Sequence, residues 1–435
     1  MGNYVENYDL IVKKWEPVLV TPAEETKRGI YFLSNVDEDE NLVRTIYCYH
    51  HKKTNGGQEA GEVIKNALSK ALVHYYPLAG RLILSPEGGF AVNCTGEGVV
   101  FIEAEADCGL DDVDFSKPDK ATRGKLAAFD APDGMGNKFE IPLMAQVTKF
   151  KCGGFVLGIS FNHVLADGQA AAEFIVSWAE TARGLPISVP PFLDRTILKA
   201  RTPPKIEFHH SEFDPIEDKS SAVNDFSNEE IMVYKYLKFT PQMIQTAKSK
   251  TTGLLTKPCS SYEALSAFVW RARTRALNTA PDQLTRILLV VNTRGRFEPP
   301  LPKGYFGNAI KYTAATCQAR DLVDQPLSYV VGLVQEAIRR VNDEHLRSTI
   351  DYNEIRRAIR PLGFTYISST WSGLAFGSTN FGWGEAISTG PVELPVDEGI
   401  LFLPRQEKGK MCMYAFMGLP VSAMGNFEEL VRQIN

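Results

Sequence analysis

Between Gly184 and Lys219 the sequence loses the periodicity that runs through the rest of the chain. This stretch is rich in proline and aromatic residues, and a structureless loop of that length is unusual inside one compact domain. It reads as a crossover between two domains, which suits a chain of 435 residues, too long for one ordinary hydrophobic core. The expected division is an N-terminal domain over 1–183, the crossover over 184–219 and a C-terminal domain over 220–435, with part of 370–400 packing with the N-terminal domain.

Both flanks mix strand and helix signals. Asn41–Tyr49 is rich in β-branched and aromatic residues and predicts a strand, while Gly61–His74 repeats apolar residues at helical spacing. Tyr75–Leu84 passes through Pro77 and Gly80 into a strand, and Val99–Glu103 and Ile141–Phe150 are further apolar runs. Gly154–Phe161 has the continuous apolar character of a strand buried on both faces, and Gln169–Thr181 predicts a helix. Past the crossover, Ser260–Arg275 predicts a helix with a serine start and a basic end. Arg286–Asn292, Thr365–Thr370, Gly399–Leu403 and Met411–Gly418 predict strands, and Pro326–Asn342 and Asn426–Ile434 helices. The fold class is therefore α/β, in two domains of similar size.

Composition narrows the partners. A formal net charge of −5 argues against nucleic acid, whose phosphate backbone demands a basic face. It leaves room for a small anionic ligand held by a few local cations. No stretch of 18 apolar residues suggests a membrane span. The opening MGNYVENYDL lacks the basic and apolar regions of a secretory signal, so a cytoplasmic location is expected. The seven cysteines are scattered, without a CxxC, as suits reduced thiols better than disulfides or a zinc site.

The chemistry-bearing window is Ser160–Gly168, SFNHVLADG. A buried strand ends there, His163 follows at the turn, and Asp167 and Gly168 precede a helix. Such strand-to-helix turns are where open α/β sheets place their reactive groups. A neutral imidazole at that point can remove a proton from a hydroxyl or an amine. An isolated HxxxD is nonetheless common by chance. A second window, Thr379–Gly384 (TNFGWG), brackets Trp383 between two glycines and by itself reads equally as a tight turn.

Together the two windows resemble the plant BAHD acyltransferases, whose signatures are HxxxD(G) near the middle and DFGWG toward the C-terminus. The likeness extends to YYPLAGRL (75–82), SSYEALSAFVWRARTRA (260–276) and VNTRGRFEPPLPKGYFGN (291–308), in the family's order over essentially the whole chain. It implies two chloramphenicol-acetyltransferase-like domains, each a mixed β-sheet flanked by helices, with a solvent channel between them. Acyl-CoA is then a co-substrate, with no permanently bound cofactor and no metal, and the enzyme is expected to be a monomer acting on a small-molecule acceptor.

Residue by residue, the resemblance makes His163 the general base. Acyl transfer goes directly to the acceptor, so no cysteine needs a catalytic role. Asp167, beside Gly168, is expected to be structural and to pair with Arg294. Trp383 is a candidate oxyanion contact through its indole N–H, and Gly382 and Gly384 shape its loop. Asn380 stands where the family has aspartate, so the loop's anchoring is expected to differ. Thr251, Thr252, Lys257, Ser260 and Ser261 are candidate CoA contacts.

For the acceptor, the informative run is Ser369–Gly377. Family members that use shikimate or quinate carry an arginine where this chain has Gly373. Thr370, Trp371, Gly373, Leu374 and Phe376 are therefore expected to line an apolar acceptor pocket, since burying a carboxylate without a partner is costly. Residues 8–37 and 195–213 resemble the family branch that transfers feruloyl groups to ω-hydroxy fatty acids and fatty alcohols, toward suberin and cutin. Another small alcohol, an amine or a shikimate-type acceptor is the alternative within the family. An inactive CoA-binding homologue is the remote one, disfavoured by intact His163, Asp167, Gly168 and Trp383.

Overall fold

The computed structural model describes residues 10–37, 41–51, 59–85, 89–128, 137–217, 231–253, 255, 257–356, 363–407 and 409–434. In chain order the elements begin with β1 (Val12–Lys14), β2 (Val18–Val20), β3 (Gly29–Phe32), β4 (Leu42–Tyr49) and α1 (Ala60–His74). There follow β5 (Arg81–Leu84), β6 (Phe90–Cys94), β7 (Val99–Ala106), α2 (Lys120–Lys125), β8 (Leu143–Lys149), β9 (Phe155–Asn162) and α3 (Gly168–Ala182). Next come β10 (Met232–Phe239), α4 (Pro241–Ser249), α5 (Ser261–Ala276), β11 (Leu284–Asn292), β12 (Ile310–Gln318), α6 (Ala319–Asp324), α7 (Leu327–Arg339) and α8 (Asp343–Arg356). The chain closes with β13 (Thr365–Thr370), β14 (Ser388–Pro391), β15 (Gly399–Glu407), β16 (Lys410–Pro420) and α9 (Val421–Arg432).

The chain divides into two compact units. The first comprises 1–199, 301–308 and 373–395. Its main sheet runs β1-β7-β8-β9-β4-β14, with β2 also on β7, and β3-β6-β5 form a smaller sheet. β7 and β8 are parallel and the other pairs of the main sheet antiparallel, so the sheet is mixed. β9 lies inside it and is buried at every residue, as its unbroken apolar run demands. α1 buries Ile64, Leu68, Ala71 and Leu72, and the Trp178 indole of α3 donates to the Ile64 carbonyl at 2.9 Å, tying the two helices together.

Two late segments belong to this unit. One is 301–308; the other carries β14, which pairs antiparallel with β4. The NFGWG motif lies in the part of 370–400 expected to pack with the N-terminal domain, and it sits in the first unit. The expected crossover likewise splits: 184–199 belongs to the first unit and 200–219 to the second.

The second unit has a six-stranded sheet, β10-β16-β15-β13-β11-β12, parallel across β11-β13-β15 and antiparallel elsewhere. Trp270 of α5, Val330 and Val334 of α7, and Phe427 of α9 fill one core with the sheet. α5 starts on a capping box: Ser260 Oγ accepts from the Glu263 N–H at 3.1 Å, and the Glu263 carboxylate accepts from the Ser260 N–H at 2.7 Å. Both units are thus mixed sheets with helices, the α/β class the sequence predicts.

Candidate active site

His163 stands one residue past the end of β9 and five before α3. Asn162 shapes the exit from the strand. Its Oδ1 accepts from the Val164 N–H at 3.2 Å, and its amide nitrogen donates to the Phe139 carbonyl at 3.1 Å. Asp167 caps α3, its Oδ1 accepting from the N–H groups of Gln169 at 3.1 Å and Ala170 at 3.0 Å. Gly168 is the first helical residue. Arg294, the expected partner of Asp167, follows β11 in the second unit, where its N–H donates to Asn292 Oδ1 at 3.1 Å.

The His163 side chain is half-buried. Its Nδ1 is shielded and has no hydrogen-bond partner among the described residues. Its main chain is held firmly: the N–H donates to the Asn41 carbonyl at 2.9 Å, and the carbonyl accepts from Asn308 Nδ2 at 2.8 Å.

Asn308 is part of a cluster that the sequence did not reveal. Asp37, Arg195 and Asn308 are each at most 2% exposed. Asp37 accepts five hydrogen bonds: from the Ser34 N–H and hydroxyl, from Arg195 Nη1 at 2.9 Å, and from the Asn308 N–H and Nδ2 at 3.0 and 2.8 Å. Arg195 also donates to the carbonyls of Phe306, at 3.0 Å, and Leu165. Asn308 Nδ2 reaches the Val164 carbonyl at 3.3 Å. Burial opposes the Arg195 charge, but Asp37, Tyr31 and Tyr305 together outweigh that burial and raise the pKa above the usual arginine range. Burial also pushes the adjoining Tyr31 phenol up to about 12, so it stays neutral beside the pair.

The NFGWG loop is anchored from within. Asn380 Oδ1 accepts from the N–H groups of Gly382 at 2.8 Å and Gly384 at 3.0 Å. Both glycines have left-handed φ values, 114° and 91°, that a side chain would resist. A neutral amide oxygen suffices for this task, so the loop is built without the family's aspartate charge. Phe381 is fully buried, edge-on to Trp178 at 5.4 Å and to Tyr49 at 6.0 Å.

Trp383 packs edge-on against Phe155, ring centroids 5.2 Å apart. Phe155 begins β9 and His163 follows its end. At about 3.3 Å per residue the two are roughly 25 Å apart. The expectation that Trp383 contacts an oxyanion at His163 is therefore corrected: an indole at the far end of the strand cannot reach it. Trp383 instead walls a groove of about 800 Å³ with Trp15, Phe101 and Phe155.

The candidate CoA contacts separate by burial. Thr251 is 2% exposed, and its hydroxyl donates to the Lys248 carbonyl at 2.7 Å, closing the end of α4. It is not available to a ligand, which corrects that assignment. Ser260 is engaged in its capping box, and Glu263 already places a carboxylate at the α5 N-terminus, opposing a phosphate there. Thr252 and Lys257 are exposed and Ser261 half-buried.

Of the candidate acceptor residues, Thr370 ends β13 and Trp371 follows it in the second unit, whereas Gly373, Leu374 and Phe376 lie in the first. Gly373 is exposed with φ 86°, a conformation that favours glycine. Phe376 is only 6% exposed and packs near Tyr47, so it is a core residue and its place in the pocket is corrected. Among the described residues no three His, Cys, Asp or Glu side chains converge as a metal site, and no helix is long and apolar enough to cross a membrane.

A histidine presented at the exit of a buried strand, on a turn fixed by its neighbours, stands where an imidazole can take up a proton. A model of the Transferase family matches residues 10–433. The omega-hydroxypalmitate O-feruloyl transferase of Arabidopsis thaliana is 52% identical over 435 residues, covering 98% of this chain and 94% of its own length. The fatty alcohol:caffeoyl-CoA acyltransferase of the same plant is 46% identical over 429 residues, covering 98% and 99%. In fold, the crystal structure of vinorine synthase matches with a TM-score of 0.75 at 21% identity over 96% of each chain. The chain belongs to the Transferase family, the BAHD acyltransferases that its two signature windows resemble, and is an acyl-CoA-dependent acyltransferase.

Proposed function

We propose that this enzyme transfers a hydroxycinnamoyl group, feruloyl in the first instance, from its CoA thioester to the hydroxyl of a long-chain ω-hydroxy acid or fatty alcohol. The observation that carries the reading is the near-full-length similarity to two transferases whose names pair such donors with such acceptors. The absence of a cation at Gly373 supports an apolar acceptor over an acidic polyol.

In this reading His163 acts as general base. With Nδ1 shielded, Nε2 is the nitrogen that takes the acceptor's hydroxyl proton. The oxygen attacks the thioester carbonyl, giving a tetrahedral oxyanion. Collapse breaks the carbon–sulfur bond, and the CoA thiolate leaves with the proton returned by the imidazolium. The products are the ester and free CoA, with no acyl-enzyme. Asp167 holds the helix start that follows the base. The enzyme works as a monomer in the cytoplasm.

The test is a panel of feruloyl-, caffeoyl- and acetyl-CoA against ω-hydroxy acids, fatty alcohols, amines and shikimate, read by mass. Preferred feruloyl esters of the long-chain hydroxyls are expected. Acylation of shikimate or an amine, with none of a long-chain alcohol, would overturn the acceptor assignment.

A further inference from the structure

An imidazole that works as a base usually takes its orientation from a hydrogen bond at its second nitrogen. His163 has no such bond among the described residues. Its aim must therefore come from the main chain that carries it, and that main chain is held in an uncommon way. Three successive carbonyls, those of His163, Val164 and Leu165, are all taken by side-chain donors from remote parts of the unit. One carboxylate, Asp37, orients both donors, since Asn308 is on its Oδ1 and Arg195 on its Oδ2.

Two details argue that this arrangement serves geometry more than stability. A buried ion pair stabilises a fold no better than well-packed apolar residues of similar volume. Asn308 also leaves its own Oδ1 buried without a partner among the described residues while its amide nitrogen serves three acceptors. Flipping the amide would turn its oxygen onto the oxygens of Asp37, His163 and Val164, so the donating orientation is locked.

Resting on the reading of His163 as the base, we propose that Asp37, Arg195 and Asn308 are positioning residues for the transfer step. They form a buried clamp that fixes the His163–Leu165 backbone and, through it, the direction of Nε2. None of the three touches the reacting atoms.

Asn308→Ala is the decisive variant. It removes the amide donor, yet keeps the N–H of residue 308 on Asp37 and leaves the Asp37–Arg195 pair whole. Turnover is measured per folded molecule, with folded protein quantified by calorimetry, using feruloyl-CoA and a long-chain ω-hydroxy acid. A kcat loss of about 10- to 100-fold is expected, as for a misplacement of the order of 1 Å. KM for both substrates should stay within about threefold of wild type. Arg195→Lys, which keeps the charge and loses the fork between two carbonyls, should show the same split.

Wild-type kcat in both folded variants would overturn the proposal. So would a loss confined to KM, or failure of both variants to fold, which would make the cluster a folding element only. His163→Ala, run beside them, separates this proposal from its parent. Retained turnover in that variant removes the general-base reading itself, whereas an inactive His163→Ala beside unimpaired Asn308→Ala removes only the clamp.

Discussion

Trp383→Phe distinguishes two roles for the best-known residue of the NFGWG loop. The substitution deletes the indole N–H and keeps an aromatic ring against Phe155, whose centroid lies 5.2 Å away. If the indole stabilised the oxyanion, losing that donor would lower kcat by about 10²- to 10³-fold. By the length of β9, its packing partner Phe155 lies roughly 25 Å from His163, which leaves the indole far beyond hydrogen-bond reach. Turnover per folded molecule should therefore stay at the wild-type level. The cost should appear in stability instead. Trp383 is 5% exposed, and trimming it to Phe leaves a partial cavity and weakens one edge-on ring pair, together about 1–2 kcal/mol. At about 2–4 °C per kcal/mol in a domain of about 150–250 residues, the melting midpoint should fall by about 2–8 °C. Steady-state kinetics and differential scanning calorimetry on the same preparation read both quantities. A hundredfold loss of kcat with an unchanged melting midpoint would refute the placement.

Three further outcomes follow from the geometry. Burial, reinforced by Lys311 and His210, depresses the His345 imidazole to about 4. The unfolded chain then binds a proton near pH 6.5 that the folded one takes up only near 4, so stability is full above pH 6.5 and declines below it, by up to roughly 3 kcal/mol. Burial works against the charged form of Glu212, but Lys311 and His210 together override it and hold the carboxyl down to about 2, so its contribution is lost only below about pH 4.5. Between those limits His345→Phe should flatten the fall of the melting midpoint, and an equally steep fall would contradict this origin. Ser260→Ala should cost about 1 kcal/mol in thermal stability through its lost cap, with KM for acyl-CoA unchanged; a raised KM would return Ser260 to the donor site. Gly373→Arg supplies the cation absent from the acceptor run, at a backbone cost of about 1–2 kcal/mol for φ 86°. Esters of shikimate should then appear by mass where wild type makes none, and their absence in a folded variant would argue against a place for residue 373 beside the acceptor.

What the sequence disclosed, and what it hid, follows from which forces act where. β9 and α3 were legible because an unbroken apolar run and an amphipathic repeat are burial signals read from neighbours in sequence. α8 was not, because its buried residues include His345, Ser348 and Asp351 and form no apolar stripe. Those polar groups face the aperiodic segment after Lys199. Asp351 accepts from the N–H groups of Arg201 and Lys205, both at 2.8 Å, and Ser348 Oγ from those of Glu207 and Phe208. The segment therefore satisfies its backbone without helix or strand, which is why no periodicity marks it. It also explains the split of the adjacent histidines: His209 is exposed, while His210 is 3% exposed with Nε2 3.0 Å from Ser348 Oγ. At the site, His163 and the helix-capping Asp167 were legible from a local pattern. Asp37, Arg195 and Asn308 were not, since three segments far apart in the chain converge only in space. Asn380 was visible as a departure from the family motif, but its two hydrogen bonds to glycine N–H groups needed coordinates.

The central claim is that His163 moves the proton in an acyl transfer from CoA to a long-chain hydroxyl. The direct measurement is single-turnover formation of the feruloyl ester from feruloyl-CoA and an ω-hydroxy fatty acid by wild type and His163→Ala, with acyl-CoA affinity measured on both. Loss of a general base should slow the chemical step by about 10²- to 10⁴-fold, with acyl-CoA affinity retained. Ester formation at the wild-type rate in a folded His163→Ala enzyme would contradict the account.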